Sequence, residues 1–401
     1  MTPRQAVVIG AGIAGASVAW CLAERGWQVV VLEAGPGPGQ GGSGNPAAIL
    51  YPKLVNAELT PTHLQSLSFL LALDKLRDPR LAPHFEQTGV LWLDQRKQKA
   101  EVGPEHPWWN QHVWRVDAAE ASALAGVELP MSALWLPSAG MLYPQGLLRA
   151  LLTHPGISLR NETELLDARP LHEGDQPYWQ LHTSQGELST PVLILAQAGA
   201  ARALEMTRDL PLKPVRGQVS ALAASLPLRT TLCYGGYLTP AVQGQHCLGA
   251  TFQPGREDLE TRSEDQQANR SALADLLPAL ASALPGCDTW SARASLRWQT
   301  PDYLPLIGEL PWPPEHQARL AATPPGRRVP PPEAPQPVLY ASLGHGSKGF
   351  TQAWIAAEII AARLEGQEPP VPPELIERLR PDRFLIRKWL RGALWKRSVS
   401  V

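Results

Sequence analysis

Four apolar residues at 6–9 run straight into Gly10, Gly12 and Gly15, after which apolar positions fall at helical spacing through Val18, Leu22 and Ala23. This pattern predicts a buried strand, a turn and a helix. A second apolar run at 29–32 ends in Glu33 and predicts the next strand. The stretch that follows, AGPGPGQGGSGNPAAILYPK, is too rich in glycine and proline for a helix or a strand. Over 85–138 short apolar strands such as GVLWL mix with tryptophans and loops, and a helix is expected over 146–152. ISLRNETELLDARP and YWQLHTSQGEL alternate as strands do. PVLILAQAGAARAL repeats the opening theme, with a buried strand at 192–196, small residues and then a helix.

Between 217 and 298, QVSALAA, TLCYGGYLTP and HCLGATF predict a mainly antiparallel sheet, with one helix over about 265–284. Residues 295–308, SLRWQTPDYLPLIG, are expected to return to the first sheet. The proline-dense run TPPGRRVPPPEAPQP at 323–337 reads as an extended surface loop. In LYASLGHGSKGFTQAWIAAEIIAARL, strand, glycine turn and helix occur once more. There is no internal repeat. A chain that returns so late to its first sheet predicts an α/β fold with a discontinuous Rossmann-like domain (1–84, 139–215 and 293–368). An inserted, mainly antiparallel domain takes 85–138 and 216–292, and a basic tail takes 369–401.

The length of 401 residues allows two or three compact units. With 36 basic and 37 acidic side chains, total charge gives no hint of a polyanionic partner, so any nucleic-acid surface must be local. The first residues lack a signal-peptide layout and the apolar stretch after them is broken by glycines, so neither secretion nor a membrane span is expected. The four cysteines are scattered, with no companion histidines at metal spacing, which predicts reduced thiols in the cytoplasm and no metal site.

The glycines carry the first chemistry. Gly10 suits a tight turn, Gly12 the close approach of a pyrophosphate, and Gly15 the packing of helix on strand. The helix start then offers its N–H groups to phosphate, and Glu33, 23 positions after Gly10, is placed to accept from a ribose hydroxyl. The glycine-rich stretch after Glu33 can wrap a second part of the same dinucleotide. A helix N-terminus after Gly344, Gly346 and Gly349 can stabilise negative charge on a reduced flavin, whereas an NAD domain needs no such third turn.

The opening motif, the Arg297/Pro301/Asp302/Gly308 pattern and the 344–351 turn resemble the D-amino-acid oxidase superfamily of FAD enzymes, which includes glycine oxidase and sarcosine oxidase. GSGNPAAILYPK, LCYGGYLTP, HCLGATF, SEDQQANR and LRPDRFLIRKWLRG are similar, more narrowly, to the FAD-dependent C-terminal half of the bifunctional MnmC family of tRNA wobble-uridine enzymes. The resemblance implies FAD held without a covalent link, since no cysteine lies in 295–308. It assigns FAD contacts to Gly10, Gly12, Ile13, Ala14, Gly15, Glu33, Ala34, Ser43, Gly44, Asn45, Ala47 and Ala48. Further along the chain it adds Ala198, Gly199, Gly308, Gly344, His345, Gly346, Ser347, Lys348 and Gly349.

The same resemblance implies the reaction. The carboxymethyl group of 5-carboxymethylaminomethyl-(2-thio)uridine in tRNA would be removed by oxidation at the carbon between amine and carboxylate. Hydrolysis of the imine would release glyoxylate, and oxygen would be reduced to hydrogen peroxide. Since the chain opens on the dinucleotide motif, methylation is expected to be absent or left to a separate tRNA methyltransferase.

The chemistry requires a cation for the substrate carboxylate. Arg297 is the first choice, against a structural ion pair with a neighbouring acid. Tyr234 and Tyr237, read as three apart on one strand, point to opposite faces, and Tyr237 is taken as the substrate-facing one. Lys348 places an ammonium near the flavin or is simply solvated. Arg216 faces the ligand or caps the domain junction.

In the tail, residues 374–401 carry eight basic and three acidic side chains, with apolar pairs at helical spacing. Arg383, Arg387, Lys388 and Arg391 would contact tRNA phosphates; the plainer reading is a docked helix with a solvated face. Two other functions remain open at this point: a glycine oxidase-like enzyme acting on a free amino acid or secondary amine, and a flavin-containing RNA-binding module without turnover.

Overall fold

The protein is described by a computed structural model covering residues 4–93, 107–332 and 334–394. The opening apolar run is the strand Gln5–Ile9, paired in parallel with Gln28–Leu32 on one side and Val192–Leu195 on the other. Ala6, Val7, Val8 and Ile9 are all buried, as a strand covered on both faces requires. Val338–Leu343 extends this sheet in parallel, and Leu306–Glu309 and Ile157–Arg160 close its two edges. Three separate returns of the chain therefore build one sheet.

The helices Ile13–Ala23 and Gly349–Leu364 pack against each other beside this sheet. Trp20 meets Trp354 edge to face, with ring centroids 6.1 Å apart. Between them the buried Glu358 carboxylate accepts from Arg25 (2.6 Å) and Lys75 (2.6 Å). Two cations offset its desolvation, which a single unpaired charge would not survive.

The second large sheet joins the short strands Val90–Trp92, Trp114–Val116 and Ala133–Leu136 to the long strand Lys213–Ala223 and the strands that follow it. It is antiparallel apart from the pairing of Val90–Trp92 with Thr231–Cys233. Ser291–Gln299 belongs here too, pairing with Lys213–Ala223 along its length. The expected boundaries at 216 and 293 therefore fall inside paired strands, and 295–299 does not return to the first sheet; only Leu306–Glu309 does.

Other departures are local. Within the glycine-rich stretch Ala48–Leu50 is a strand, because Gly140–Leu142 supplies a partner that local composition does not reveal. The small residues after Val192–Leu195 form the 3-10 turns Ala198–Ala203 and Glu205–Thr207 instead of an α-helix. Ala198 has φ +52°, which a right-handed helix start does not accommodate. The helix expected over 265–284 is two, Ser263–Ala274 and Pro278–Ser282, the break falling before a proline that lacks the amide needed to continue.

Tyr234 and Tyr237 do not share a strand. Thr231–Cys233 and Tyr237–Leu238 form a hairpin, and Tyr234 lies in its turn. The tail contains two short helices, Pro373–Leu379 and Arg383–Leu390, separated at Pro381. Lys396 and Arg397 lie outside the described residues.

Candidate active site

A cavity of about 570 Å³ takes its wall from both large sheets, a volume suited to a cofactor or substrate. The glycine turn after Gln5–Ile9 forms one part of it. Gly10 adopts φ +99°, and a Cβ there would lie 2.9 Å from the Ala196 carbonyl oxygen. Ile13–Ala23 begins at Gly12 in the cavity wall, and the Ile13 amide donates to Ser43 Oγ (3.1 Å). Glu33 accepts from the amides of Ala11 (2.8 Å) and Gly35 (2.9 Å). Each carboxylate oxygen keeps a lone pair for a ligand hydroxyl.

Most residues expected to bind the cofactor line this one cavity: Gly10, Gly12, Ile13, Ala14, Glu33, Ala34, Ser43, Asn45, Ala47, Ala48 and Ala198, with the whole turn from Gly344 through Gly349. Four do not. Gly15 serves packing, since a Cβ would lie 1.9 Å from the Gly10 carbonyl oxygen. Gly44 sits behind the wall between the Gly39 carbonyl and Arg293, and Gly199 lies flat under the Trp298 ring, 1.9 Å from any added Cβ. Gly308 is a positive-φ residue of the edge strand Leu306–Glu309, paired with Ala341.

The second glycine turn supplies another helix start, with Gly349, Phe350 and Thr351 in the wall. His345 hydrogen-bonds the Ser342 hydroxyl (3.0 Å), and burial pushes its pKa down to about 4, so the imidazole is neutral at physiological pH. The Lys348 ammonium lies 3.8 Å from the centroid of the Tyr51 ring, a cation–π contact inside the cavity rather than a solvated position. Gln197 Oε1, in the same wall, is buried without a partner among the described residues. Two helix starts in the wall, a ribose-ready carboxylate and an orphaned buried acceptor fit a dinucleotide with a polar ring system such as FAD.

Arg297 projects from Ser291–Gln299 into the cavity. Its Nη1 donates to the Thr251 carbonyl (3.2 Å), and it has no carboxylate partner among the described residues. Burial pulls its pKa down from the ordinary value, yet a guanidinium stays protonated in proteins. Gly217 makes the room it occupies: a Cβ there would lie 2.5 Å from Nη2. Tyr237 lines the same cavity, and burial raises its phenol well above the usual pKa, keeping it protonated as a donor. Tyr234 is buried in the core of the second sheet instead.

Arg216 is a structural residue. Fully buried, it pairs with Asp265 (2.6 Å) and Asp258 (3.3 Å) and donates to Gln253 Oε1 (2.8 Å) and the Glu260 carbonyl.

The tail requires a larger correction. Arg383 is only 4% exposed and donates to both carboxylate oxygens of Asp302 and to the carbonyls of Leu304 and Pro305. It cannot reach a phosphate without breaking that network. Arg387 also pairs with Asp302 (3.1 Å), and Trp389 is buried, donating to the Thr323 carbonyl (2.7 Å). Lys388 and Arg391 are exposed. The tail is thus a docked element in which, of these four side chains, Lys388 and Arg391 are exposed without an ion-pair partner among the described residues, while Arg383 and Arg387 are tied to Asp302.

Sequence reasoning missed Arg293, whose guanidinium donates to Asn45 Oδ1 and to the carbonyls of Gln40 and Gly41, clamping the glycine-rich loop to the second sheet. The signal was present: Arg293 lies four residues before Arg297 on one strand, hence on the same face. It also missed the wall residues Tyr51, Gln197, Phe252 and Trp298, although each lies in a stretch whose pattern was read for other residues.

With this geometry in hand, comparison with known proteins is informative. Residues 5–363 match the family of FAD-dependent oxidoreductases designated DAO. The chain is 38% identical over 413 residues to the tRNA 5-methylaminomethyl-2-thiouridine biosynthesis bifunctional protein MnmC of Stutzerimonas stutzeri, covering 97% of this chain and 60% of that protein. The corresponding protein of Chromobacterium violaceum is 36% identical, over 98% of this chain and 61% of its own length. This chain spans about 60% of the length of these relatives. Among solved structures, glycine oxidase from Geobacillus kaustophilus superposes with a TM-score of 0.72 at 22% identity, covering 94% of this chain and 98% of its own. L-proline dehydrogenase from P. horikoshii gives 0.71 at 19%, covering 96% and 98%. At these identities the structures speak to fold alone. The turn-and-helix cradle at Gly10 and Gly344, the Glu33 carboxylate and the match across residues 5–363 together establish that this chain belongs to the FAD-dependent oxidoreductase family, with FAD as its cofactor.

Proposed function

We propose that this protein removes the carboxymethyl group of 5-carboxymethylaminomethyl-(2-thio)uridine at the tRNA wobble position, yielding the aminomethyl-uridine and glyoxylate. The observation that carries the reading is Arg297, a cavity-facing guanidinium with no carboxylate partner among the described residues, in a chain similar over 97% of its length to a protein named for tRNA 5-methylaminomethyl-2-thiouridine biosynthesis. FAD when bound accepts the two electrons of C–N oxidation and passes them to dioxygen, giving hydrogen peroxide. The chain supplies position. Arg297 grips the carboxylate with two parallel hydrogen bonds, Tyr237 offers a protonated hydroxyl, and Lys348 adds positive charge at the helix-start turn. Water then hydrolyses the imine.

Mass analysis of nucleosides from tRNA incubated with the holoenzyme tests the reading. Loss of carboxymethylaminomethyl-uridine with equimolar glyoxylate is expected; unchanged nucleosides alongside rapid oxidation of free glycine would replace it with the free amino-acid oxidase. No helix among the described residues is long and apolar enough to cross a membrane.

Two further results are expected. Glu33→Ala should weaken FAD binding by roughly 1.5–3 kcal/mol, the net worth of hydrogen bonds to a charged group. Titration of FAD into apo-protein measures it, and an unaltered Kd would remove Glu33 from the cofactor site. For tRNA, Lys388→Ala with Arg391→Ala should flatten the log–log salt dependence of binding by about 0.7–0.9 per lost phosphate contact. An unchanged slope would return the tail helix to a purely structural role.

A further inference from the structure

Of the large apolar side chains that are exposed among the described residues, Phe252 alone lines the cavity, and it does so while 56% exposed. An exposed phenylalanine on an open surface needs no explanation. One in the wall of an active-site cavity, on a backbone segment tied down on both sides, is different.

The backbone around Phe252 is fixed on both sides. The Thr251 amide donates to the Gln218 carbonyl (3.2 Å), and Thr251 Oγ1 accepts from the Gln218 amide (2.9 Å). On the other side, Gln253 accepts from the fully buried Arg216 (2.8 Å) and donates to Asp265 (2.9 Å), while its backbone pairs with Arg216. A buried charge network thus holds the segment in place. The same segment touches the carboxylate anchor, since Arg297 donates to the carbonyl of Thr251, the residue before Phe252.

We infer that the Phe252 ring is the platform on which the uracil base of the substrate stacks while its carboxymethyl group lies on Arg297. The inference rests on the reading of the substrate as a nucleoside within tRNA and adds the residue that distinguishes it from a free carboxymethylamine. A short CH2–NH–CH2 spacer separates the ring and the carboxylate of that nucleoside, so an anchor for one next to a flat apolar surface for the other suits it. A free amino acid has no base to place there. Every base offers a π-face, so an aromatic platform supplies affinity without hydrogen-bond readout.

The test uses the holoenzyme, an anticodon stem-loop oligonucleotide carrying 5-carboxymethylaminomethyluridine, and sarcosine as the small probe, with anaerobic flavin reduction as readout. Phe252→Ala should lower kcat/KM for the oligonucleotide by about 5- to 150-fold, the fold-change that base–aromatic stacking supplies. Reduction by sarcosine should fall by a much smaller factor than reduction by the oligonucleotide, the melting temperature should stay as in the parent, and Phe252→Tyr should restore the oligonucleotide rate. Equal kcat/KM for the parent and Phe252→Ala on the oligonucleotide would overturn the platform and leave the tRNA reading standing. Parallel losses on both substrates would also overturn it, as a general packing role. A parent that oxidises sarcosine but not the oligonucleotide overturns the tRNA reading itself, and the platform with it.

Discussion

Arg297→Met is expected to leave FAD bound and to reduce turnover by about 2–5 kcal/mol, roughly 30- to 5,000-fold, the loss seen when one partner of a desolvated charge pair is truncated. The guanidinium is half-buried, donates only to the neutral Thr251 carbonyl, and has no carboxylate partner among the described residues. Its cost is therefore offset only when a substrate carboxylate arrives. Arg297→Lys should recover little, because an ammonium is a point charge and cannot make the two parallel bonds that hold the reacting carbon in line. As the guanidinium stays protonated, the deficit should be constant across neutral pH. Flavin absorbance reports retention, and anaerobic flavin reduction by sarcosine and by modified tRNA reports the loss. Equal reduction rates in variant and parent would show that another group holds the carboxylate.

What the sequence revealed depended on how far apart the interacting residues lie. Gly10, Gly12, Gly15 and Glu33 are read within one strand–turn–helix–strand unit, where the spacing itself encodes the geometry. The turn at Gly344 is local in the same sense. The pairing of Ser291–Gln299 with Lys213–Ala223 was not legible, because its apolar pattern suits either sheet and only the tertiary partner decides. Gly199 was read as touching the cofactor; the presence of Trp298 above it comes from a strand about a hundred positions away. Arg216 and Arg383 show the same limit for charges. Composition marks an arginine as exposed by default, and its burial is decided by carboxylates distant in sequence: Asp265 for Arg216 and Asp302 for Arg383.

That last pair carries the second large effect, and it falls on stability rather than catalysis. Arg383→Met should destabilise the protein by about 1.5–3 kcal/mol, the worth of hydrogen bonds to a charged group, because Asp302 is partly exposed and keeps Arg387. Asp302 would keep its charge without its principal partner, and the Leu304 and Pro305 carbonyls would lose their donor. Burial alone would raise the Asp302 pKa, but bonds and charge from Arg383, with Thr300 and Arg387, outweigh it and hold the carboxyl at about 2, below its ordinary 3.8. A folded-state pKa below the unfolded one contributes stability that is complete above pH 3.8 and is lost as pH falls towards 2. Thermal melts from pH 7 to pH 2 should therefore show the Arg383→Met deficit at its largest near neutrality and shrinking in acid. Asp302→Asn added to Arg383→Met should cost less than the sum of the single changes, because the two share one interaction. Below the melting temperature the variant keeps Lys388 and Arg391, so its tRNA affinity and salt slope should match the parent. A selective loss of tRNA binding without a stability change would instead make Arg383 a phosphate contact, and the Asp302 network would have to open to permit it.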